Sequence, residues 1–166
     1  MNKVMRLFLF LLFLLTLSYC LYQLAQTSTA ASAATCARYP QQTLILDAGH
    51  GGEDGGAVSL SGVPESGINL SIVLKVDQLA GLYGVRTKLT RDTDTSIADS
   101  SAKTLREKKR SDLYNRAALV NETEGAVLLS VHQNNHSAKS ASGAQVFFHD
   151  DGESILWAQH TQQLLR

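Results

Sequence analysis

The sequence predicts an α/β domain, open and three-layered, with a mostly parallel sheet flanked by helices. From Thr43 onward, short apolar runs suited to strands alternate with longer segments that have helical periodicity. Strands that alternate with helices in this way usually pair in parallel, because each helix carries the chain back to the same end of the sheet. Ligands bind at the carboxyl ends of such strands, so the residues that follow each strand are the first candidates for function.

The first elements are a strand, a glycine-rich loop and a helix. Leu44–Leu46 predicts a short buried strand, and Gly49–Gly62 predicts a loop, since glycine resists regular structure. A helix is predicted from Glu65 to about Tyr83, closed by Gly84 as a C-terminal cap. Its predicted sheet-facing side consists of apolar positions that recur at helical spacing: Ile68, Ile72, Leu79 and Leu82, adjoined by Val73, Val76 and Ala80.

The middle of the chain adds a second strand, a long polar loop and a second helix. Val85–Thr90 alternates and is β-branched, which predicts a strand. Residues 91–111 are polar without periodicity and predict a loop, in which the charge run Arg106–Arg110 is interpreted as a solvated face. Ser111 or Asp112 is predicted to cap a helix that ends near Asn121.

Three more elements complete the predicted order. Ala126–Val131 is apolar on both faces and predicts a fully buried strand. Ala144–Phe148 predicts a fourth strand, and Glu153–Leu165 predicts a third helix. The chain ends at Arg166 within that helix without a capping residue, so we expect the domain to be truncated.

Residues 1–34 have the composition of an export signal. Lys3 and Arg6 precede an apolar run, and Gln26–Ala34 is small and polar. Cleavage after Ala33 would start the mature chain near Ala34. The alternative is an uncleaved signal anchor, because about nineteen apolar residues can just span a ~30 Å bilayer core. In both cases residues 35–166 form an extracytoplasmic domain, secreted or membrane-anchored, whose membrane contact is confined to the N-terminal segment.

Composition excludes some functions. The 15 basic and 15 acidic residues balance, which argues against general nucleic-acid binding. Cys20 and Cys36 are the two cysteines, so the chain has no disulfide framework and must be stabilised by its hydrophobic core, with or without a metal.

Three residues carry the candidate chemistry. His50 follows the first strand, His132 follows the Ala126–Val131 strand, and Glu65 opens the first helix of the domain. Two imidazoles and one carboxylate are a three-ligand zinc set with a position left for water, and such a zinc can activate water for amide hydrolysis. Asp54 is the candidate for orienting a histidine ligand.

The spacing alone leaves open that these histidines are structural or exposed residues rather than metal ligands. His-x14-Glu-x66-His matches no short zinc signature such as His-Glu-x-x-His, and a single histidine after a strand is more often structural or exposed than a ligand. The remaining histidines are interpreted as bystanders: His136, His149 and His160.

Five motifs nevertheless resemble, in order, the zinc-dependent N-acetylmuramoyl-L-alanine amidases of the type-3 family. They are Leu44–Ala57 (LILDAGHGGEDGGA), Glu65–Leu70 (ESGINL), Leu89–Arg91 (LTR), Arg116–Asn121 (RAALVN) and Ser130–Asn134 (SVHQN). The segments Thr104–Leu113 and Gly143–Phe148 are most similar to the germination-specific amidases of spore cortex peptidoglycan.

The resemblance implies hydrolysis of the amide bond between N-acetylmuramic acid and L-alanine, in spore cortex maturation or cell-wall remodelling. It implies Zn²⁺ on His50, Glu65 and His132, with Asp54, Asn134 and Arg116 as supporting or substrate-contacting residues. Peptidoglycan is the expected partner, an accessory protein is a further candidate, and the expected location is the cell envelope or forespore membrane.

Two departures from the family pattern affect these expectations. Gly67 stands where the family often has a second acidic residue. The family's general-base glutamate lies in a Val-Glu-x-Gly-Phe-type strand, which would follow Arg166. We therefore expect this chain to lack the C-terminal strand and helix and to be inactive, since loss of a general acid–base group costs roughly 10²–10⁴ in rate. The alternatives are a non-catalytic peptidoglycan-binding or regulatory module that keeps the metal site, and a zinc peptidase acting on peptide stems.

Overall fold

The computed structural model describes residues 2–38, 42–133, 143–150 and 152–165. The chain forms two compact units, residues 1–133 and 134–166. The elements, in chain order, are α1 (Lys3–Arg38), β1 (Thr43–Ala48), α2 (Glu65–Leu82), β2 (Thr87–Leu89), α3 (Leu105–Asn121), β3 (Ala126–Val131) and α4 (Gly152–Leu164). The predicted α/β class and the alternation of strands and helices are confirmed.

The three strands form one parallel sheet in the order β2-β1-β3. Leu46 of β1 pairs with Leu89 of β2 on one side and with Leu129 of β3 on the other. Because all three strands run in the same direction, their carboxyl ends lie along one edge of the sheet. That edge carries the residues that follow β1 and β3.

Helices cover both faces of the sheet, which gives three layers. On one face, Leu46 and Ala48 pack against Val73 of α2, and all three side chains are fully buried. Side chains alternate along a strand, so Asp47 lies on the opposite face. There it pairs with Arg116 of α3.

The rotation of α2 differs from the prediction. Its buried stripe begins with polar residues, Glu65, Ser66 and Asn69, and continues into Val73. Four of the apolar positions predicted to face the sheet, Ile68, Ile72, Leu79 and Leu82, are instead 37% to 80% exposed, whereas the adjoining Val73 is buried and Val76 packs against the core. Apolar periodicity could not predict this buried side, because the first turns of α2 are polar. Glu65 and Asn69 are held against the strand ends by hydrogen bonds rather than by hydrophobic burial.

Helix α3 begins earlier than predicted, at Leu105 rather than at Ser111 or Asp112. Thr104 and Glu107 form a capping box, in which the backbone N–H of Glu107 donates to Oγ1 of Thr104 at 3.2 Å and the N–H of Thr104 donates to Oε2 of Glu107 at 2.9 Å. The two residues predicted as caps, Ser111 and Asp112, form hydrogen bonds with the preceding loop instead. Oγ of Ser111 donates to Asp99 at 2.7 Å, and Asp112 accepts from the N–H of Ile97 at 2.8 Å.

Strand β3 is confirmed at its predicted bounds, but it is not buried on both faces, and Leu128 is 50% exposed. Among the described strands it has one neighbour, β1, so its outer side is uncovered. Residues 134–142, which include His136, lie outside the described residues.

In the second unit, the helix predicted at Glu153–Leu165 is confirmed as α4, but the strand predicted at Ala144–Phe148 is wrong, since residues 144–149 contain no strand. The side-chain amide of Gln162 replaces the hydrogen bonds of a strand partner. It accepts from the N–H of Val146 at 2.9 Å and donates to the carbonyl of Ala144 at 3.0 Å.

Helix α1 includes the segment predicted to be an export signal or anchor. Within the described ranges, one helix is long and apolar enough to cross a membrane, at Lys3–Leu24, with 22 residues and a mean hydropathy of 2.2. Twenty-two helical residues extend about 33 Å. A signal sequence and an anchor both satisfy this criterion, so both predictions for residues 1–34 stay open.

Candidate metal centre

The three predicted ligands converge at the carboxyl edge of the sheet. His50 lies two residues after β1, His132 directly follows β3, and Glu65 is the first residue of α2. Their ligand atoms all lie within 4.8 Å of one another. Oε1 of Glu65 lies 3.0 Å from Nδ1 of His132 and 3.5 Å from Nε2 of His50. The imidazoles meet edge to face, with ring centroids 5.0 Å apart.

The carboxylate of Glu65 is buried and held by hydrogen bonds on both oxygens. Oε2 accepts from the N–H of Ala57 at 2.9 Å, and Oε1 accepts from the N–H of Gln133 at 2.9 Å and from Nδ2 of Asn69 at 3.2 Å. Burial alone would raise the pKa of Glu65, but the N–H donors of Ala57 and Gln133 outweigh it, and the pKa is lowered. Glu65 is therefore an anion at neutral pH.

Close backbone approach explains two of the glycines around the histidines. A Cβ at Gly49 would lie 2.2 Å from Cε1 of His132, and a Cβ at Gly56 would lie 2.6 Å from Cδ2 of His50. His50 itself has φ of 61°, a left-handed conformation that is uncommon for residues other than glycine. Such strain persists only where the surroundings fix the backbone.

Asp54, the residue proposed from the sequence to orient a histidine ligand, contacts His50. Oδ2 of Asp54 lies 2.9 Å from Nδ1 of His50, and its Oδ1 lies 2.8 Å from Nζ of Lys109. With Nδ1 bonded to Asp54, the other ring nitrogen, Nε2, is left facing Glu65. Burial raises the pKa of Asp54, but Lys109, His50 and the N–H of Gly56 lower it to about 2.

Two buried arginines hold the backbone beneath the histidine turn. Arg116 donates to the carbonyls of Ala48 and His50, each at 2.9 Å, and pairs with Asp47 and with Asp112. The side chain of Arg116 is 9% exposed, so it lies behind the turn rather than in the open space beside it.

Arg91 ties the turn to α2. Its Nε donates to the carbonyl of Ala48 at 2.9 Å, and its Nη2 donates to the carbonyls of Gly49 at 3.2 Å and Ser66 at 2.8 Å. Ser66 follows Glu65 directly, so one guanidinium fixes the segment that carries His50 relative to the one that carries Glu65. Arg91 was not among the residues predicted for the site, although its position at the exit of the second strand was a usable signal.

Comparison with known proteins identifies the family to which this site belongs. The family model described as N-acetylmuramoyl-L-alanine amidase matches residues 44–165, which include all three converging side chains. The chain belongs to this amidase family.

Individual amidases give the same result. The germination-specific N-acetylmuramoyl-L-alanine amidase of Bacillus subtilis is 33% identical over 124 residues, 74% of this chain and 52% of that protein. N-acetylmuramoyl-L-alanine amidase AmiA of Escherichia coli is 29% identical over 107 residues, 64% of this chain and 32% of that protein. The chain therefore spans about half or less of the length of these curated relatives.

A solved amidase shares the fold. The CwlD amidase from Clostridioides difficile, in a structure with the GerS lipoprotein, is 35% identical with a TM-score of 0.71. The match covers 75% of this chain and 64% of that chain. The amidase fold is thus confirmed by structure as well as by sequence.

A groove lies beside His50. A cavity of about 590 Å³ lies between the loop of residues 50–54 and residues 94–112. That volume lies within the range of ligand-binding clefts. Its lining includes His50 and Asp54 but neither Glu65 nor His132, so the groove lies on the Asp54 side of His50 and runs along the start of α3, past Lys108 and Lys109.

The structure thus brings together four of the six residues predicted for the site, His50, Glu65, His132 and Asp54, with Arg116 behind the turn. Asn134 lies outside the described residues. The bystanders His149 and His160 belong to the second unit.

Proposed function

We propose that this domain hydrolyses the amide bond between N-acetylmuramic acid and L-alanine in peptidoglycan, with Zn²⁺ held by His50, Glu65 and His132. The convergence of these three side chains within 4.8 Å carries the proposal. We also propose that residues 1–34 export or anchor the domain of residues 35–166 outside the cytoplasm.

The donor set fits zinc. Two imidazole nitrogens and one carboxylate oxygen are the ligands of known catalytic zinc sites. In a tetrahedral site with bonds of ~2.0–2.1 Å, two ligand atoms lie ~3.3 Å apart. The distances from Oε1 of Glu65 to His132 and His50, 3.0 and 3.5 Å, bracket that value. When bound, the ion supplies Lewis acidity and lowers the pKa of a water ligand toward ~7.

The other residues hold this donor set in place. Asp54 orients His50, and Asn69, Ala57 and Gln133 orient the carboxylate of Glu65. Because the carboxylate of Glu65 is assigned to the metal, we assign proton transfer to a different carboxylate.

The proposed substrate is spore cortex peptidoglycan, and the proposed partner is an accessory protein at the envelope. Support for the substrate comes from the similarity to the germination-specific amidase of Bacillus subtilis. Support for the partner comes from the CwlD amidase, whose structure contains the GerS lipoprotein.

The test is to incubate the purified zinc-loaded chain with cortex and with vegetative peptidoglycan and to quantify new N-terminal alanine. Alanine release that is abolished by a chelator, restored by Zn²⁺ and larger with cortex would support the amidase proposal and would contradict the inactivity expected for this chain from the sequence. Release of other stem-peptide termini would favour a zinc peptidase. Zinc binding without any release would overturn amidase activity for this chain and favour the non-catalytic module.

A further inference from the structure

The basic run Arg106–Arg110 does not lie on a loop and is only partly a solvated face. It forms the first turns of α3, and two of its lysines reach the loop that carries His50. Nζ of Lys108 lies 2.7 Å from Oε1 of Glu53, and Nζ of Lys109 lies 2.8 Å from Oδ1 of Asp54. Neighbouring lysines thus pair with neighbouring carboxylates.

The two ion pairs differ in the further contacts that their carboxylates make. The second oxygen of Asp54 contacts Nδ1 of His50 at 2.9 Å, so Lys109, Asp54 and His50 form one continuous chain of contacts. Asp54 is 22% exposed, whereas Glu53 is 68% exposed and its described side-chain contact is with Lys108. The Lys109 pair therefore leads to the metal centre, and the Lys108 pair leads to solvent.

We propose that Lys109 is a positioning residue that holds Asp54 against His50 and so sets the metal affinity of the site. This inference rests on the proposed metal centre. An exposed ion pair contributes little to folding stability, so stability alone does not account for the contact. The outer-shell partner of a metal-bound histidine, in contrast, typically changes metal affinity 10–100-fold. Asp54 can act as such a partner while its carboxylate is fixed, and two groups fix its Oδ1: Nζ of Lys109 at 2.8 Å and the N–H of Gly56 at 3.3 Å.

The direction in which metal affinity changes distinguishes a positioning role of Lys109 from a simple effect of its charge. Removing a cation near a bound divalent ion favours the ion by Coulomb's law, so a pure charge effect tightens metal binding. If Asp54 loses its position against His50, metal binding is instead weakened. Lys108 supplies a matched control, because its removal deletes the same charge one residue away without touching the contact between Asp54 and His50.

The experiment measures Co²⁺ and Zn²⁺ affinity by competition with a chromophoric chelator, together with the visible spectrum of the Co²⁺ protein. The variants are Lys109→Met, Lys109→Arg and Lys108→Met. We expect Lys109→Met to bind about three- to tenfold more weakly, below the range for direct loss of an outer-shell partner, with a changed Co²⁺ spectrum. Lys109→Arg, which can still donate to Asp54, should retain wild-type affinity and spectrum. Lys108→Met should retain the wild-type spectrum and bind the ions as tightly as wild type or slightly more tightly, because it removes only a charge.

Each outcome decides between the two claims. If Lys109→Met binds as tightly as Lys108→Met or more tightly, the positioning role is overturned while the metal centre stands. If the wild-type chain binds neither ion, the metal centre itself is overturned. Both lysines are partly exposed, at 47% for Lys109 and 33% for Lys108, so we expect all the variants to fold.

Discussion

Nδ1 of His132 lies 3.0 Å from Oε1 of Glu65, although 67 positions separate the two residues in the chain. The same oxygen lies 3.5 Å from Nε2 of His50. A parallel sheet produces this meeting, because β1 and β3 end at one edge and α2 starts there. The distances depend on the carboxylate of Glu65, which makes this residue the first to test.

Glu65→Gln should weaken Zn²⁺ binding by at least about 100-fold, the upper end of the loss seen for outer-shell partners. The amide supplies a neutral oxygen, and its NH₂ group would face the N–H of Ala57 or of Gln133, both of which now donate to the carboxylate. Competition titration with a zinc chelator measures the effect. The matched control is Glu53→Gln in the neighbouring loop, which should bind zinc normally. Wild-type affinity in Glu65→Gln would remove Glu65 from the site.

Gly49→Ala should abolish tight metal binding while the fold persists. The new Cβ would lie 2.2 Å from the ring of His132, and that imidazole is 52% exposed, so it can rotate away from the centre. Zinc titration and circular dichroism separate the two effects. Gly67→Ala is the control, because a Cβ there meets nothing within 4 Å, and it should stabilise α2 by about 0.5–1 kcal/mol. Normal zinc binding by Gly49→Ala would show that the ring position is not needed.

The sequence was sufficient to predict three of its four proposed strands and to place the candidate ligands at one edge of the sheet. Leu44–Leu46 and Ala126–Val131 are apolar runs bounded by polar or glycine residues, and both form strands. Once they are parallel, His50 and His132 must share an edge. Glu65 could be added because it opens the helix that leaves the same edge.

The sequence was not sufficient where polar contacts override apolar periodicity. The buried side of α2 starts at Glu65 and Asn69, whose burial depends on partners that are distant in the chain. Likewise, nothing local to Arg91 indicates that it bonds the carbonyls of Gly49 and Ser66. The start of α3 was predictable in principle, since Thr104 and Glu107 have capping-box spacing.

The pair of Asp47 and Arg116 should make stability depend on acid pH. Burial raises the pKa of Asp47, but the hydroxyl of Ser130, the charge of Arg116 and the hydroxyl of Thr90 outweigh it, and the pKa is lowered from 3.8. A carboxyl whose pKa is lower in the folded state stabilises the fold above its unfolded pKa. That stabilisation is lost as pH falls through the folded pKa.

Asp47→Asn should therefore be roughly 2–3 kcal/mol less stable than wild type at pH 7, with the difference shrinking below about pH 4. Urea unfolding of both proteins between pH 7 and pH 3 measures it. A difference that stays constant across this range would contradict the lowered pKa of Asp47.

The capping box of α3 should contribute measurably to stability. Thr104→Ala removes the oxygen that accepts the N–H of Glu107, and loss of such a cap costs about 1 kcal/mol. The free energy of unfolding in urea measures it. Ser101→Ala, in the preceding exposed turn, is the control and should change stability by less than about 0.5 kcal/mol. Equal effects of the two substitutions would argue against the cap.

Arg91→Lys should impair the metal centre beyond its effect on stability. An ammonium group cannot reach the carbonyls of Ala48, Gly49 and Ser66 together, so the segments that carry His50 and Glu65 lose their common anchor. We expect about tenfold weaker Co²⁺ binding with an altered Co²⁺ spectrum, together with a lower free energy of unfolding.

The control for Arg91→Lys must destabilise the domain away from the site. Asp77→Asn does so, because Asp77 of α2 accepts from the hydroxyl of Thr87 in β2 at 2.5 Å, at the far end of the helix from Glu65. We expect Asp77→Asn to lower the free energy of unfolding while the Co²⁺ affinity and spectrum remain those of the wild type. If the two variants lose stability to a similar extent and bind Co²⁺ equally well, Arg91 supports the fold in general rather than the geometry between His50 and Glu65.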